Sequence, residues 1–353
     1  MKKIALIFGG TSSEYEVSLA SAAGVLAALQ ELDYQVFPIG ITRGGDWLLT
    51  DADVEQLQQD TWQTSSLCQS ATPQFKGQGF WLSKDQKFLK PDVLLPILHG
   101  GNGEDGSLQG LFEMMALPYA GCGVAASALC MNKFLLHQFA DTLGIQSAAT
   151  VLLNTITDQQ TVEQFIKNVG LPIFVKPNEA GSSKGISKVT ELEQLPQALA
   201  EAFRYSRQVI LQKAVSGIEI GCGILGNHDL QIGACDEISL AGQFFDYVEK
   251  YQLLTAKITV PAQISAEISK KIQDQAQRLY QHLGCRGLAR IDFFLTADDT
   301  ILLNEVNTLP GFTPHSRFPA MMAAAGISYN QVLEKLIALA EEAHHEKHLL
   351  AIS

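Results

Sequence analysis

The sequence predicts an α/β protein built in several lobes, with a parallel-sheet unit at the N-terminus and strand-rich α+β units after it. Three observations carry this expectation. A strand, a glycine turn and a helix follow one another twice early in the chain. Strands then dominate from Val209 onward around one long helix. A length of 353 residues, 46% of them hydrophobic, is more than one core ordinarily serves.

Residues 4–8 form a continuous apolar run closed by Gly9-Gly10-Thr11, after which Leu19, Ala22, Leu26 and Leu29 recur at helical spacing. Residues 93–98 repeat the pattern, leading into His99-Gly100-Gly101-Asn102-Gly103-Glu104-Asp105-Gly106 and then the helical Leu108, Leu111 and Met115. Such alternation predicts a mostly parallel sheet whose strand C-termini carry the ligand loops. After residues 118–123 the chain turns helix-rich, and an extended run at 171–177 enters a loop of glycine and serine where a second lobe is expected. Strands are expected at 209–211, 219–225, 230–234, 288–295 and 301–306, with a helix near 265–283. A last helix carries Leu333, Leu336, Ile337 and Ala340 on one face, and His344-His345-Glu346-Lys347-His348 reads as a solvated end beyond it.

The net charge of −12, without a basic run or aromatic-basic stripe, argues against a nucleic-acid footprint and an anionic-membrane patch. Met1-Lys2-Lys3 and the apolar run after it are too short for a signal peptide, and no stretch approaches the roughly 18 apolar residues of a membrane span. Cys68, Cys122, Cys130, Cys222, Cys235 and Cys285 are scattered without CxxC spacing, so reduced thiols in a cytoplasmic protein are expected.

The most informative stretch is Gly287-Leu-Ala-Arg290-Ile-Asp292-Phe-Phe-Leu295, followed by Ile301-Leu-Leu-Asn-Glu305-Val-Asn307. Residues two apart share a strand face, so Arg290 lies beside Asp292 and Glu305 beside Asn307. A two-residue turn at Asp298-Asp299 would set Asp292 opposite Glu305 and Arg290 opposite Asn307. Facing carboxylates repel unless a cation sits between them, and oxygen-only ligation suits magnesium brought with nucleotide phosphates.

Together, Arg290-Ile-Asp292, Glu305-Val-Asn307-Thr-Leu-Pro-Gly311-Phe-Thr313, the loop at 99–106 and Lys176-Pro-Asn-Glu-Ala-Gly181-Ser182-Ser183 resemble the motifs of the D-alanine:D-alanine ligase family of ATP-grasp enzymes, in the family's order and over residues 4–340. The resemblance implies an ATP-grasp fold with an N-terminal α/β substrate domain over 1–121, a central subdomain over 122–213, and a C-terminal subdomain over 214–353 bearing the metal site and a lid loop. It also implies ATP and two Mg2+ ions, with Mn2+ as an alternative, and a cytoplasmic homodimer acting on D-amino acids. In the implied reaction, the ATP γ-phosphate moves to the carboxylate of a first D-alanine, and the amine of a second amino acid attacks the acyl phosphate.

Residue by residue, Glu14 looks like the family's glutamate for the first substrate's ammonium, although an acid at a helix start is ordinary by itself. Ser182 and Tyr251 resemble the serine and tyrosine that orient substrate and close the lid. Arg290 and the N–H of Gly311 resemble the groups that stabilise the tetrahedral oxyanion, with Ser316 alongside. Val17, His99 and Glu104 stand where the family keeps residues near the first substrate. Lys133, Lys176 and Lys250 look like its phosphate lysines. Ser183, in a loop able to drape N–H groups over phosphate, and Gln212, Lys213, Val215 and Glu219 are similar to the remaining nucleotide contacts. Gln212 is a departure, since many relatives have an acid there. Asp292, Glu305 and Asn307 match the metal ligands.

Arg317 stands where housekeeping ligases of the family usually have leucine, and Phe245 where they have tyrosine; with Asp236 they look like the signature of the vancomycin-resistance D-alanine:D-serine ligases. D-alanyl-D-serine is therefore the expected product, made for peptidoglycan precursors that bind glycopeptides poorly. The alternatives are a housekeeping D-alanine:D-alanine ligase and, more remotely, a nucleotide-binding regulatory module without catalysis.

Overall fold

The computed structural model describes residues 1–182, 184–240 and 256–352. The run at 4–8 is apolar at every position because its strand, Lys3–Gly9, is an inner strand buried on both faces. It pairs in parallel with Gln35–Ile41 on one side and Val93–Ile97 on the other. The helix Tyr15–Glu31 lies against this part of the sheet and buries Leu19, Ala22, Leu26 and Leu29. The sheet is less parallel than the sequence predicts. Trp47–Leu49, Gln69–Gln74, Gly79–Leu82 and Lys87–Leu89 extend it as an antiparallel meander; the connections at 42–46, 75–78 and 83–86 are too short for crossovers, and the longer one at 50–68 also returns antiparallel. Among the named strands parallel pairing is confined to Lys3–Gly9, Gln35–Ile41 and Val93–Ile97, and the loops after Lys3–Gly9 and Val93–Ile97 reach the cavity described below.

A second sheet, antiparallel, is ordered Ser187–Val189, Ile173–Pro177, Val209–Lys213, Thr150–Leu153. Its core packs Val162 and Phe165 from one helix and Ala198 and Leu199 from another. The third sheet centres on Gly217–Leu225 and Leu288–Thr296, flanked by Asp236–Leu240 and Ala256–Thr259 on one side and Ile301–Asn307 on the other. The helix Ala266–His282 packs on it through Ile268, Ile272, Ala276 and Leu279. The strand expected at 230–234 contracts to Gln231–Ile232, because Ala234 leaves the ladder to donate its N–H to the Met321 carbonyl at 3.0 Å.

The 288–307 hairpin reaches the predicted pairing by another route. Arg290 faces Asn307 and Asp292 faces Glu305, yet Phe293 faces Leu303 and Leu295 faces Ile301. The turn is not the two-residue Asp298-Asp299. The Thr296 N–H bonds the Thr300 carbonyl at 3.1 Å, leaving a three-residue loop with Asp299 in the left-handed region at φ 61°. That extra residue shifts the register by one, and a β-bulge at Asn304, which faces no partner, shifts it back. Without the bulge, Glu305 would not stand opposite Asp292.

Helix Tyr329–Ile352 brings Leu333, Leu336, Ile337 and Ala340 into one core with Leu19, Leu26, Val93 and Leu95, so the last helix is packed on the first lobe. It also takes in the histidine-rich segment, which is helical rather than a free end: His228 pairs with Glu346 at 2.8 Å, and Lys347 pairs with Glu113. None of the six cysteines is in a disulfide. Among the described residues no helix is long and apolar enough to cross a membrane.

Candidate active site

Loops from all three sheets enclose a cavity of about 500 Å³. Glu14, Val17, His99 and Glu104 line it from the first lobe, Lys133 and Ser182 from the second, and Arg290, Glu305, Asn307, Gly311, Ser316 and Arg317 from the third.

On the first wall, Ser12 joins the two strand-end loops. Its hydroxyl donates to the His99 carbonyl at 2.6 Å and accepts the Glu14 N–H at 3.1 Å. Glu14 thus heads the helix Tyr15–Glu31 with its carboxylate turned toward the second loop. Gly100 is obligatory there: its φ is 65°, and a Cβ would come within 2.2 Å of Glu14 Oε2. His99 is buried, with Nδ1 3.1 Å from the Leu309 carbonyl and Nε2 3.2 Å from Ser21 Oγ. Burial works against its charged form, but the bond to Glu104 and the charges of Glu104 and Glu14 outweigh it and raise the imidazole pKa.

The second wall is cationic. Helix Lys133–Thr142 begins at Asn132, whose side chain caps the Leu135 N–H, and its first residue sends Nζ to the Ala180 carbonyl at 2.7 Å. Lys176, on Ile173–Pro177, donates to Gln212 Oε1 at 2.7 Å from the neighbouring strand, and Gln212 Nε2 reaches Thr150 Oγ1 at 3.3 Å. Burial, and then repulsion from Lys133, lower the Lys176 pKa to about 8. One turn beyond Lys133, His137 is buried and donates Nε2–H to the Asn304 carbonyl at 2.8 Å; burial and the two lysines lower its pKa to about 4, so the ring is neutral.

The third wall concentrates opposite charges on one sheet face. Asp292, fully buried, accepts from Arg290 Nε and Nη2 at 2.9 and 2.8 Å and from Asn307 Nδ2 at 2.9 Å. Asn307 Nδ2 also lies 3.4 Å from Glu305 Oε1. Arg317, at the start of helix Arg317–Ala324, forks onto the fully buried Asp236 through Nε at 2.6 Å and Nη2 at 2.8 Å, and reaches Glu219 at 2.8 Å and Asp292 at 3.4 Å. The helix approaches this closely because residue 221 is glycine; a Cβ there would lie 2.6 Å from both Arg317 Nη2 and Asp236 Oδ1. Burial disfavours charge on both guanidiniums, and their carboxylate partners restore it. Glu219 is held above the usual carboxylate range by burial and by Asp292 and Glu305, against the pull of Arg317.

Thr313 and Ser316 shape the loop that closes the site. Ser316 Oγ accepts the Thr313 N–H at 3.0 Å and lies 2.8 Å from Thr313 Oγ1, beside Gly311. Asp236, Glu219, Asp292, Lys176 and Gln212 stand behind the cavity lining, while Lys213 is exposed at a strand end and Val215 half-buried. Ser183, Phe245, Lys250 and Tyr251 lie outside the described residues. Sequence reasoning missed Thr313, Leu309 and His137. Of these, only His137 left a local signal, its i, i+4 spacing from Lys133 on a helix.

The family model of the D-Ala-D-Ala ligase N-terminus matches residues 3–122, and that of the D-Ala-D-Ala ligase C-terminus matches residues 139–338. The chain is 58% identical to the vancomycin C-type resistance protein VanC2 of Enterococcus casseliflavus over 347 residues, covering 97% of this chain and 99% of that protein. Among solved structures it resembles the VanG D-Ala:D-Ser ligase of Enterococcus faecalis with a TM-score of 0.89 at 42% identity, covering 96% of this chain and 99% of that one. It also resembles the D-alanine-D-alanine ligase of Coxiella burnetii with a TM-score of 0.88 at 30% identity, covering 99% and 97%.

Proposed function

The chain belongs to the D-Ala-D-Ala ligase family, and from that premise we propose that it is an ATP-dependent D-alanine:D-serine ligase of the vancomycin-resistance type. A carboxylate oxygen of the first D-alanine attacks the γ-phosphorus of ATP, and ADP leaves with the electrons of the broken P–O bond. The amine of D-serine then attacks the acyl carbon, phosphate departs, and the amine gives up its proton.

Glu14 holds the ammonium of the first substrate, with His99 and Glu104 behind it and Val17 as its apolar wall. Lys133 and Lys176 neutralise phosphate charge, with Ser183 and Lys250 as further phosphate contacts and Gln212, Lys213, Val215 and Glu219 along the nucleoside. Arg290 and the Gly311 N–H face the oxyanion, and Ser182, Ser316 and Tyr251 orient the reacting groups. Magnesium fits the donor set of Asp292, Glu305 and Asn307, which is all oxygen. Phosphate oxygens and water would complete the coordination of such an ion, as is usual for magnesium bound with nucleotide. When bound, the metal supplies charge neutralisation for phosphoryl transfer. We assign the substrate domain to 1–121, the central subdomain to 122–213 and the C-terminal subdomain to 214–353, and propose a cytoplasmic homodimer, which light scattering would test.

The observation that carries the serine reading is the Arg317 guanidinium, held on Asp236 at the edge of the cavity. The guanidinium gives the second-substrate pocket a polar wall that D-serine's hydroxyl engages and D-alanine's methyl does not; Phe245, assigned to the same pocket by the family resemblance, lies outside the described residues. Mass spectrometry of products from D-alanine, D-serine and ATP near neutral pH is expected to give mainly D-alanyl-D-serine. Faster turnover on D-alanine alone with no serine dipeptide would sink the assignment.

A further inference from the structure

We infer that His137 is a positioning residue for the metal-binding carboxylate Glu305, acting through the bulge at Asn304. The three-residue turn leaves the hairpin one residue out of step, and only the bulge brings Glu305 opposite Asp292. A bulged residue is excluded from the ladder, so its carbonyl needs a donor from elsewhere. His137 Nε2–H supplies it at 2.8 Å, from a helix 167 residues away in sequence. That carbonyl belongs to the peptide bond that leads directly into Glu305.

The ring can play this part in one tautomer. With Nε2 donating, Nδ1 is a bare acceptor, buried and without a hydrogen-bond partner among the described residues. Lys133 lies one turn away on the same helix, and the charges of Lys133 and Lys176 disfavour a second ring proton. The same residue therefore joins the phosphate-binding helix to the metal-binding strand, and its hydrogen bond, beside the packing of Leu136 and Ala140 in one core with Leu303, helps fix the spacing between the lysine and the carboxylate. Neighbouring support comes from the Leu303 N–H, which bonds the Gln146 carbonyl at 2.7 Å on the same outer edge.

This inference rests on the reading of Asp292, Glu305 and Asn307 as the magnesium site, and calorimetry can separate the two. ADP affinity is measured with Mg2+ and in EDTA for native protein, His137→Leu, His137→Met, His137→Gln and Glu305→Gln. Loss of an outer hydrogen bond at a metal site typically costs about 10–100-fold in metal affinity. His137→Leu and His137→Met should each weaken ADP binding about tenfold with Mg2+ and change it less than about twofold in EDTA. His137→Gln, which keeps an N–H donor, should stay within about twofold of native in both. Equal losses with and without metal, or no loss in the leucine and methionine variants, would overturn the positioning role. If Glu305→Gln keeps the full magnesium effect, the metal assignment itself fails and the role of His137 falls with it.

Discussion

On the third wall of the cavity, four carboxylates, Glu219, Asp236, Asp292 and Glu305, share a sheet face with two guanidiniums. On the second, Lys133 and Lys176 bond a backbone carbonyl and a side-chain amide. Guanidinium does not lose its proton in proteins, so the acidic wall is partly offset by fixed charge, two cations against four carboxylates. Ammonium titrates readily when buried, and Lys176 is displaced to about 8. The difference teaches what each wall is built to receive. The acidic wall is paired in part and keeps surplus negative charge suited to a metal cation, whereas the basic wall carries cationic charge that an anionic phosphate would satisfy.

The comparison breaks most visibly at Arg317. Arg317→Leu leaves Asp236 buried without its bidentate partner, and removing one member of such a pair costs about 3–5 kcal/mol. Denaturant unfolding should register that loss, and Asp236→Asn in the same chain should restore a good part of it; a loss below about 1 kcal/mol would mean the wall is not held by this pair.

Lys176→Met tests the opposite wall. Hydrogen bonds to charged groups contribute about 1.5–3 kcal/mol, so ATP KM should rise at least about tenfold. Stability near neutral pH should hold or increase, since a buried charge repelled by Lys133 is removed. The pH dependence follows from the lowered folded-state pKa. Below about 8 Lys176 is protonated both folded and unfolded, and its burial cost is fully present; as pH rises toward the ordinary value of 10.5 the folded protein has already released the proton, so stability from this group increases. That rise should disappear in Lys176→Met, as measured by unfolding between pH 7 and 10. Phosphate favours the ammonium form, so ADP binding near pH 9 should take up a proton, detectable by calorimetry in two buffers of different ionisation heat.

Gly100→Ala probes the first wall. A left-handed backbone costs an ordinary residue about 1–3 kcal/mol, and the added methyl meets the Glu14 carboxylate, so KM for the first D-alanine should rise more than KM for ATP. The smallest effect is expected at the half-exposed Lys2–Glu341 pair, where Lys2→Ala should change stability by less than about 1 kcal/mol.

Much of this was legible in the sequence. The run at 4–8 could only be a buried strand, and the loop after it, with its counterpart at 99–106, places Glu14 and His99 where the cavity forms. The antiparallel meander at 47–89 was not legible, because short strands of mixed polarity leave no clear period. The helix through residues 344–348 was missed for a related reason: contacts with Glu113 and His228, distant in sequence, support it rather than an apolar stripe.

The hairpin separates the two kinds of knowledge. The sequence alone determined that Arg290 shares a face with Asp292 and Glu305 with Asn307, since side-chain alternation is a property of the local backbone. Whether those faces meet was decided in three dimensions, by a left-handed Asp299 that lengthens the turn, a bulge at Asn304 that restores the register, and His137 bonding the displaced carbonyl. Likewise Arg317 was visible as a charge, but its pairing with Asp236 appears only when helix and strand pack across Gly221. Periodicity is set by covalent geometry, whereas register and charge pairing depend on which distant groups must be satisfied once water is excluded.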